Sequence, residues 1–214
     1  GDELFGANAW PDGRGHNFHV TANVMNENGR IGGAAINLAA VSDSLFENNL
    51  VYGNQAGGIA LWDNQNPYDE DAVDHPPVTA ADATPARIPL FGCKNDRIRN
   101  NTVLLEGRRA SIQCRNGSTG CAITNNIAVN GGPGPGLEVF GTSMPGLDAR
   151  ANVFGRVDYT DSTPALLATV KTAPEAKGRV DVAAASALAE MEKPSKTPWL
   201  RLDGPWPTLW PDRP

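Results

Sequence analysis

The sequence predicts an all-β chain wound as a parallel β-helix, a solenoid of short strands stacked coil on coil. Three features predict it: a motif centred on asparagine that recurs about every 25 residues, a second strand pattern at a nearly fixed offset after each copy, and no 3.6-residue periodicity across the same region. In each copy an apolar residue leads into one or two asparagines, followed by a β-branched or apolar residue.

The clearest copies are Phe46-Glu47-Asn48-Asn49-Leu50-Val51, Ile98-Arg99-Asn100-Asn101-Thr102-Val103 and Ile123-Thr124-Asn125-Asn126-Ile127-Ala128. Looser ones are Val20-Thr21-Ala22-Asn23-Val24-Met25 and Ala149-Arg150-Ala151-Asn152-Val153-Phe154. The anchors at 20, 46, 98, 123 and 149 lie 25 or 26 residues apart, with one double step. Such a period describes coils that each bury a neighbour's face. Asparagine tolerates left-handed backbone and bonds main chain, so it suits the turn between two short strands and can stack into a ladder along the axis.

The second strand follows each motif as Ile36-Asn37-Leu38, Ile59-Ala60-Leu61, Ile112-Gln113-Cys114 and Leu137-Glu138-Val139. Alternation puts Ile36, Ile59, Ile112 and Leu137 in one inward stack, and Leu38, Leu61, Cys114 and Val139 in the next. Gly57-Gly58, Gly117-Ser118-Thr119-Gly120 and Gly131-Gly132-Pro133-Gly134 supply other corners.

The composition agrees. The chain has 214 residues with 23 glycines and 17 prolines, a mix that fits many short elements joined by tight turns. A net charge of -6 gives no basis for nucleic-acid binding, which needs a concentrated Lys/Arg surface. No apolar run approaches the roughly 18 residues of a membrane span. Gly1-Asp2-Glu3 has neither the basic start nor the apolar stretch of a signal peptide, as expected of a processed chain or a fragment. Cys93, Cys114 and Cys121 form no paired-cysteine zinc pattern, and read as small buried apolar residues.

The segments Gly33-Ala34-Ala35-Ile36-Asn37-Leu38, Asp43-Ser44-Leu45-Phe46-Glu47-Asn48-Asn49 and Asn116-Gly117-Ser118-Thr119-Gly120 resemble bacterial right-handed parallel β-helix repeat proteins of the pectate-lyase-like superfamily. The resemblance covers roughly residues 16–157 and is closest to a carboxy-terminal portion of such proteins. It implies a right-handed coil, a secreted or periplasmic location and a polysaccharide partner. The superfamily includes lyases, hydrolases, epimerases and non-catalytic adhesins. Members usually carry further coils and a cap ahead of this region, which implies a protein or segment covering the first coil.

The expected organisation is a β-helix over 1–157 and an extension over 158–214 that packs on it. Residues 64–87 break the repeat with an acidic, proline-containing stretch. Either a coil has degenerated here, with Ile88-Pro89-Leu90 as a further second strand, or a loop projects from the stack. The alanine-rich run Val180 to Glu192 suits a short helix, and the tail from Trp199 to Pro214 suits an extended segment burying indoles.

Outward positions of the first strand form two columns, His19-Leu45-Arg97-Ala122-Asp148 and Thr21-Glu47-Arg99-Thr124-Arg150. β-Elimination from an acidic sugar needs a cation at the uronate carboxylate, a base at C5 and a group that neutralises developing charge. Lys94, Arg97 and Arg99 are the candidate catalytic groups, with Glu47 and His19 beside them as substrate contacts. Asp63, Asp69, Glu70 and Asp71 offer clustered hard oxygens for Ca2+, without EF-hand spacing. Asp74 and His75 lie in the same stretch. Trp62, Arg115 and Phe140 take matching outward places after the second strand, where aromatic and guanidinium groups stack on sugar rings. Glu47 and Asp148 are the alternative carboxylate pair of a glycoside hydrolase. A carbohydrate-active protein that binds or cleaves acidic polysaccharide is the leading expectation, and a non-catalytic structural or adhesion module is the alternative.

Overall fold

The computed structural model describes residues 14–28, 32–63 and 92–174. A short strand β1 (Gly15–His16) leads into the first coil, formed by β2 (His19–Thr21), β3 (Val24–Asn26) and β4 (Ala34–Ala39). After β5 (Val41–Ser42) the second coil repeats the three strands as β6 (Leu45–Glu47), β7 (Leu50–Tyr52) and β8 (Gly57–Trp62). The third is β9 (Arg97–Arg99), β10 (Thr102–Leu105) and β11 (Ile112–Cys114); the fourth is β12 (Ala122–Thr124), β13 (Ile127–Asn130) and β14 (Leu137–Phe140). The fifth is β15 (Asp148–Arg150), β16 (Val153–Phe154) and β17 (Val157–Thr160), after which α1 (Pro164–Leu167) begins at an N-cap provided by Thr163.

Corresponding strands pair in parallel and build three five-stranded sheets, with the order β2-β6-β9-β12-β15 in the first. The fold is therefore an all-β parallel β-helix. A fourth, narrow ladder runs beside the first sheet: β1 pairs with β5, Ser42 bridges to Lys94, and Lys94 bridges to Thr119. Every predicted column is in register, including His19 with Leu45, Leu45 with Arg97, and Ile59 with Ile112.

That register decides between the two readings of the break after residue 63. β6 pairs directly with β9 and β8 with β11, so no coil separates the second from the third. The intervening chain is an insertion. The strand expected at Ile88-Pro89-Leu90 lies, like the rest of 64–91, outside the described set of residues. The third sheet continues to Thr160, past the boundary expected at 157. The helix expected at 180–192 and the tryptophan tail also lie outside it.

The asparagine pairs divide two jobs between them. The first member takes the left-handed turn: Asn48, Asn100 and Asn125 have φ of 55°, 55° and 54°. The second builds the ladder. Asn49 Nδ2 and its backbone N–H both donate to Asn101 Oδ1 at 3.0 Å. Asn101 donates likewise to Asn126 Oδ1, and Asn126 to Asn152 Oδ1. Each buried side chain also closes a carbonyl on the coil before, as Asn101 Nδ2 does for Phe46 O at 2.9 Å. Without the ladder the buried backbone N–H groups of Asn49, Asn101 and Asn126 would lack partners.

The ends differ. In the last coil Leu147 and Phe154 are fully buried, and Leu166 and Val170 pack against the same core. In the first coil Val20 and Met25 are only partly buried, and Asn23 is exposed.

Candidate functional site

Two outer faces carry the predicted site residues, and they are different faces. Lys94 belongs to the narrow ladder, while Arg97 and Arg99 project from β9 on the first sheet. Arg97 is exposed, opposite Leu45 and Ala122. Arg99 is engaged: its Nε donates to Glu47 Oε2 at 2.7 Å, and His19 Nε2 lies 3.0 Å from Glu47 Oε1. The Arg99 hydrogen bond is the main cause that holds the Glu47 carboxyl below its ordinary range, with His19 adding to it against the effect of burial. Arg99, Glu47 and His19 thus satisfy one another across three coils.

Glu47 and Asp148 do not form a hydrolase pair. They sit on coils two and five, three strand spacings apart, which is roughly 14 Å and beyond the ~9.5 Å upper limit for such carboxylates. Asp148 is also bound by Arg150 at 2.7 Å.

Of the expected calcium ligands, Asp69, Glu70 and Asp71 lie outside the described residues, as do Asp74 and His75. Asp63 is buried at the end of β8, where its carbonyl accepts from Asn116 Nδ2 at 2.7 Å. Among the described residues no group of three His, Cys, Asp or Glu side chains is placed to hold a metal ion. Apart from Asp63, the expected calcium ligands therefore lie outside the described residues.

The other face is the outside of the third sheet. Strand alternation sends Ile59, Leu61, Ile112 and Cys114 inward, and therefore turns Ala60, Trp62, Gln113 and Arg115 outward. They line a groove of about 290 Å³ with Asn37 and Arg109. Gly58 lets the coil close beneath it: a Cβ there would fall on Val103 Cγ1 and Ser111 O. The Arg115 guanidinium lies over the Trp62 ring, 5.1 Å from its centroid. Trp62 Nε1–H and Arg115 Nε–H are both buried without a hydrogen-bond partner. Among the described residues two guanidiniums and no carboxylate line this groove, on a chain whose net charge is -6. Phe140 shares the column one coil further on, outside the groove lining.

The sequence pointed to Trp62 and Arg115 but missed Arg109, Gln113 and Asn37. Gln113 and Asn37 were available as the outward residues between inward Ile and Leu or Cys. Arg109 comes from the turn after β10, and nothing in the repeat predicts its direction.

The three cysteines are buried free thiols in the solenoid interior. Burial pushes the Cys93 thiol up to about 12, with the Asp96 charge adding to it, and raises Cys114 and Cys121 as well. Asp96 itself is inaccessible to solvent. Its Oδ1 accepts the Ser44 N–H at 2.9 Å, and Oδ2 has no partner. Burial pushes its carboxyl up to about 7, Asp43 reinforcing the shift and the Ser44 bond opposing it.

Fold and site together define a parallel β-helix protein with a cationic, tryptophan-bearing groove on its third sheet. No family model, curated protein or solved structure matches the chain.

Proposed function

We propose that this protein is a secreted or periplasmic member of the pectate-lyase-like β-helix superfamily that binds acidic polysaccharide in the groove of the third sheet. The observation that carries the reading is the Trp62–Arg115 pair, an indole face for a sugar ring and a guanidinium for its carboxylate. The unpartnered Trp62 Nε1–H and Arg115 Nε–H are donors that small side-chain movements would offer to a ligand. Arg109 adds a second cation at the rim.

Binding is favoured over β-elimination. The groups that would neutralise and abstract, Lys94, Arg97 and Arg99, stand on the first sheet and its flank, away from the groove, and Arg99 is committed to Glu47. Calorimetric titration with pectate, alginate and a neutral glucan, with and without chelator, tests the reading. Absorbance of unsaturated uronate is followed in parallel. Binding to the acidic glycans alone, insensitive to chelator and without product, supports it. Calcium-dependent product lost in Lys94→Ala or Arg97→Ala would replace it with a lyase.

The partial burial of Val20 and Met25 in the first coil favours a second reading, a structural or adhesion module with a protein partner over β2, β3 and β4. Asn23 Oδ1 occupies the acceptor position that Asn49, Asn101, Asn126 and Asn152 each fill from the coil before, yet no described residue donates to it. A larger complex from the native source in which the His19, Thr21 and Val24 amides, which the ladder register turns away from the second coil, become protected from hydrogen exchange would support this reading. A monomer with unprotected amides would contradict it.

A further inference from the structure

The outer face of the third sheet changes sign along the coil axis. One column reads Asn37, Ala60, Gln113, Glu138, Asp158, and its neighbour ends in Trp62, Arg115, Phe140 and Thr160. The cationic groove occupies coils two and three, and Glu138 stands on the next strand. Asp158 is neutralised by Arg156, which holds both its carboxylate oxygens at 3.0 Å. Among the described residues Glu138 has only neutral donors: Gln113 Nε2 at 2.6 Å and the Thr160 hydroxyl at 3.2 Å. Its charge therefore remains uncompensated at the edge of a site built for an anion.

The bond to Gln113 has a second effect. A carboxylate only accepts, so the Gln113 amide must turn its NH2 toward Glu138, which leaves Oε1 as the acceptor for a ligand in the groove. The face thus offers guanidinium donors, then an amide acceptor suited to a sugar hydroxyl, then a negative charge. Arg115 and Glu138 are diagonal neighbours on adjacent strands, roughly 7–8 Å apart at the backbone. A carboxylate on Arg115 is tolerated, but one on the next sugar toward Glu138 is repelled.

We propose that Glu138 is the specificity-determining residue of this site, admitting a uronate at Arg115 only when the following sugar is neutral. The inference rests on the groove being the glycan site. It assigns the substrate class as acidic glycans in which charged and neutral sugars alternate, rather than uniform polyuronates. Two like charges about 5 Å apart repel in water by an amount worth roughly four-fold in affinity, and by more where solvent is displaced.

The test is calorimetry on the full chain with two probes of equal length, a uniform galacturonate hexamer and a hexamer alternating glucuronate with N-acetylglucosamine. The wild type is expected to prefer the alternating probe. Glu138→Gln, which keeps an acceptor for Gln113, is expected to tighten the uniform probe about four-fold or more and to move the alternating one less than about two-fold. Raising the ionic strength should shrink the wild-type preference without any substitution, because the repulsion is screened. Equal affinity of the wild type for both probes, or an equal shift of both in Glu138→Gln, would overturn the assignment while leaving the groove as the site. Binding of neither probe would overturn the groove reading and this assignment with it.

Discussion

Asn101→Ala in the third of five coils tests what holds the solenoid together. The side chain accepts from Asn49 N–H and Asn49 Nδ2, each at 3.0 Å, and donates to Phe46 O and Asn126 Oδ1. Asn126 Oδ1 keeps its bond from the Asn101 backbone after the substitution, at 2.9 Å. The Asn49 N–H and one Asn49 Nδ2–H lose their partner, in an interior where Asn49 and Asn101 are 1% and 0% exposed, while the Phe46 carbonyl keeps the Arg99 N–H that the β6–β9 register brings to it. Orphaned buried groups cost about 1–3 kcal/mol each, and the two share one site, so the expected loss is about 3 kcal/mol. Asn23→Ala removes the chemically equivalent group at the exposed end of the ladder, where water replaces the lost bonds, and should cost under about 1 kcal/mol. Urea unfolding of both variants, followed by far-ultraviolet circular dichroism, measures the difference; an unchanged denaturant slope confirms that the same transition is compared. Equal losses in the two variants would refute the ladder as the source of stability.

Further tests concern buried titratable groups. Asp96 holds its proton in the folded chain up to about pH 7, whereas the unfolded chain ionises near 3.8. Stability should therefore be greatest below the unfolded value, fall as pH rises toward 7, and level off above it, by an amount on the order of 4 kcal/mol. Asp96→Asn should flatten that part of the denaturation profile and be more stable than wild type at about pH 8; parallel profiles for the two proteins would contradict the assignment. Cys93, Cys114 and Cys121 should be silent toward a chromogenic disulfide reagent in the native chain at neutral pH, and all three should react once the chain is unfolded. Rapid reaction of any one in the native state would place it at the surface.

Most of the fold was legible because a solenoid writes its register into the chain. Inward positions must be apolar in every coil, so Phe46, Ile98 and Ile123 announce one stack, and Ile59, Ile112 and Leu137 announce another. Less visible was the corner formed by Asn17, Asp43, Asn95, Gly120 and Gly146, all with positive φ. Each tolerates left-handed backbone, but the set mixes three residue types and reads as a column only once the register is known. The ladder at Asn23 and Asn152 was readable, yet Ala22 and Ala151 take the same left-handed turn at φ of 55° and 54° with no sequence signal. Tertiary pairing imposes it there.

The site was harder to read because outward residues are under no such constraint. Arg99 and Glu47 stand in one predicted column, but the column alone did not show whether Arg99 was free or bound to Glu47. Arg97, Arg99 and Lys94 follow one another closely in sequence, which suggested a cluster, while the groove gathers residues from four separate segments between Asn37 and Arg115. Proximity in sequence therefore did not point to the groove, since in a β-helix neighbours in space are a coil apart.

The most direct test of the central claim compares the affinity of one acidic oligosaccharide for the wild type, Arg115→Ala and Arg97→Ala, with the melting temperature of each variant recorded. The account predicts that binding falls at least about ten-fold in Arg115→Ala, the loss of a charge-assisted contact, and stays within about two-fold of wild type in Arg97→Ala. Loss of binding in Arg97→Ala with Arg115→Ala unaffected would contradict it and move the site to the first sheet.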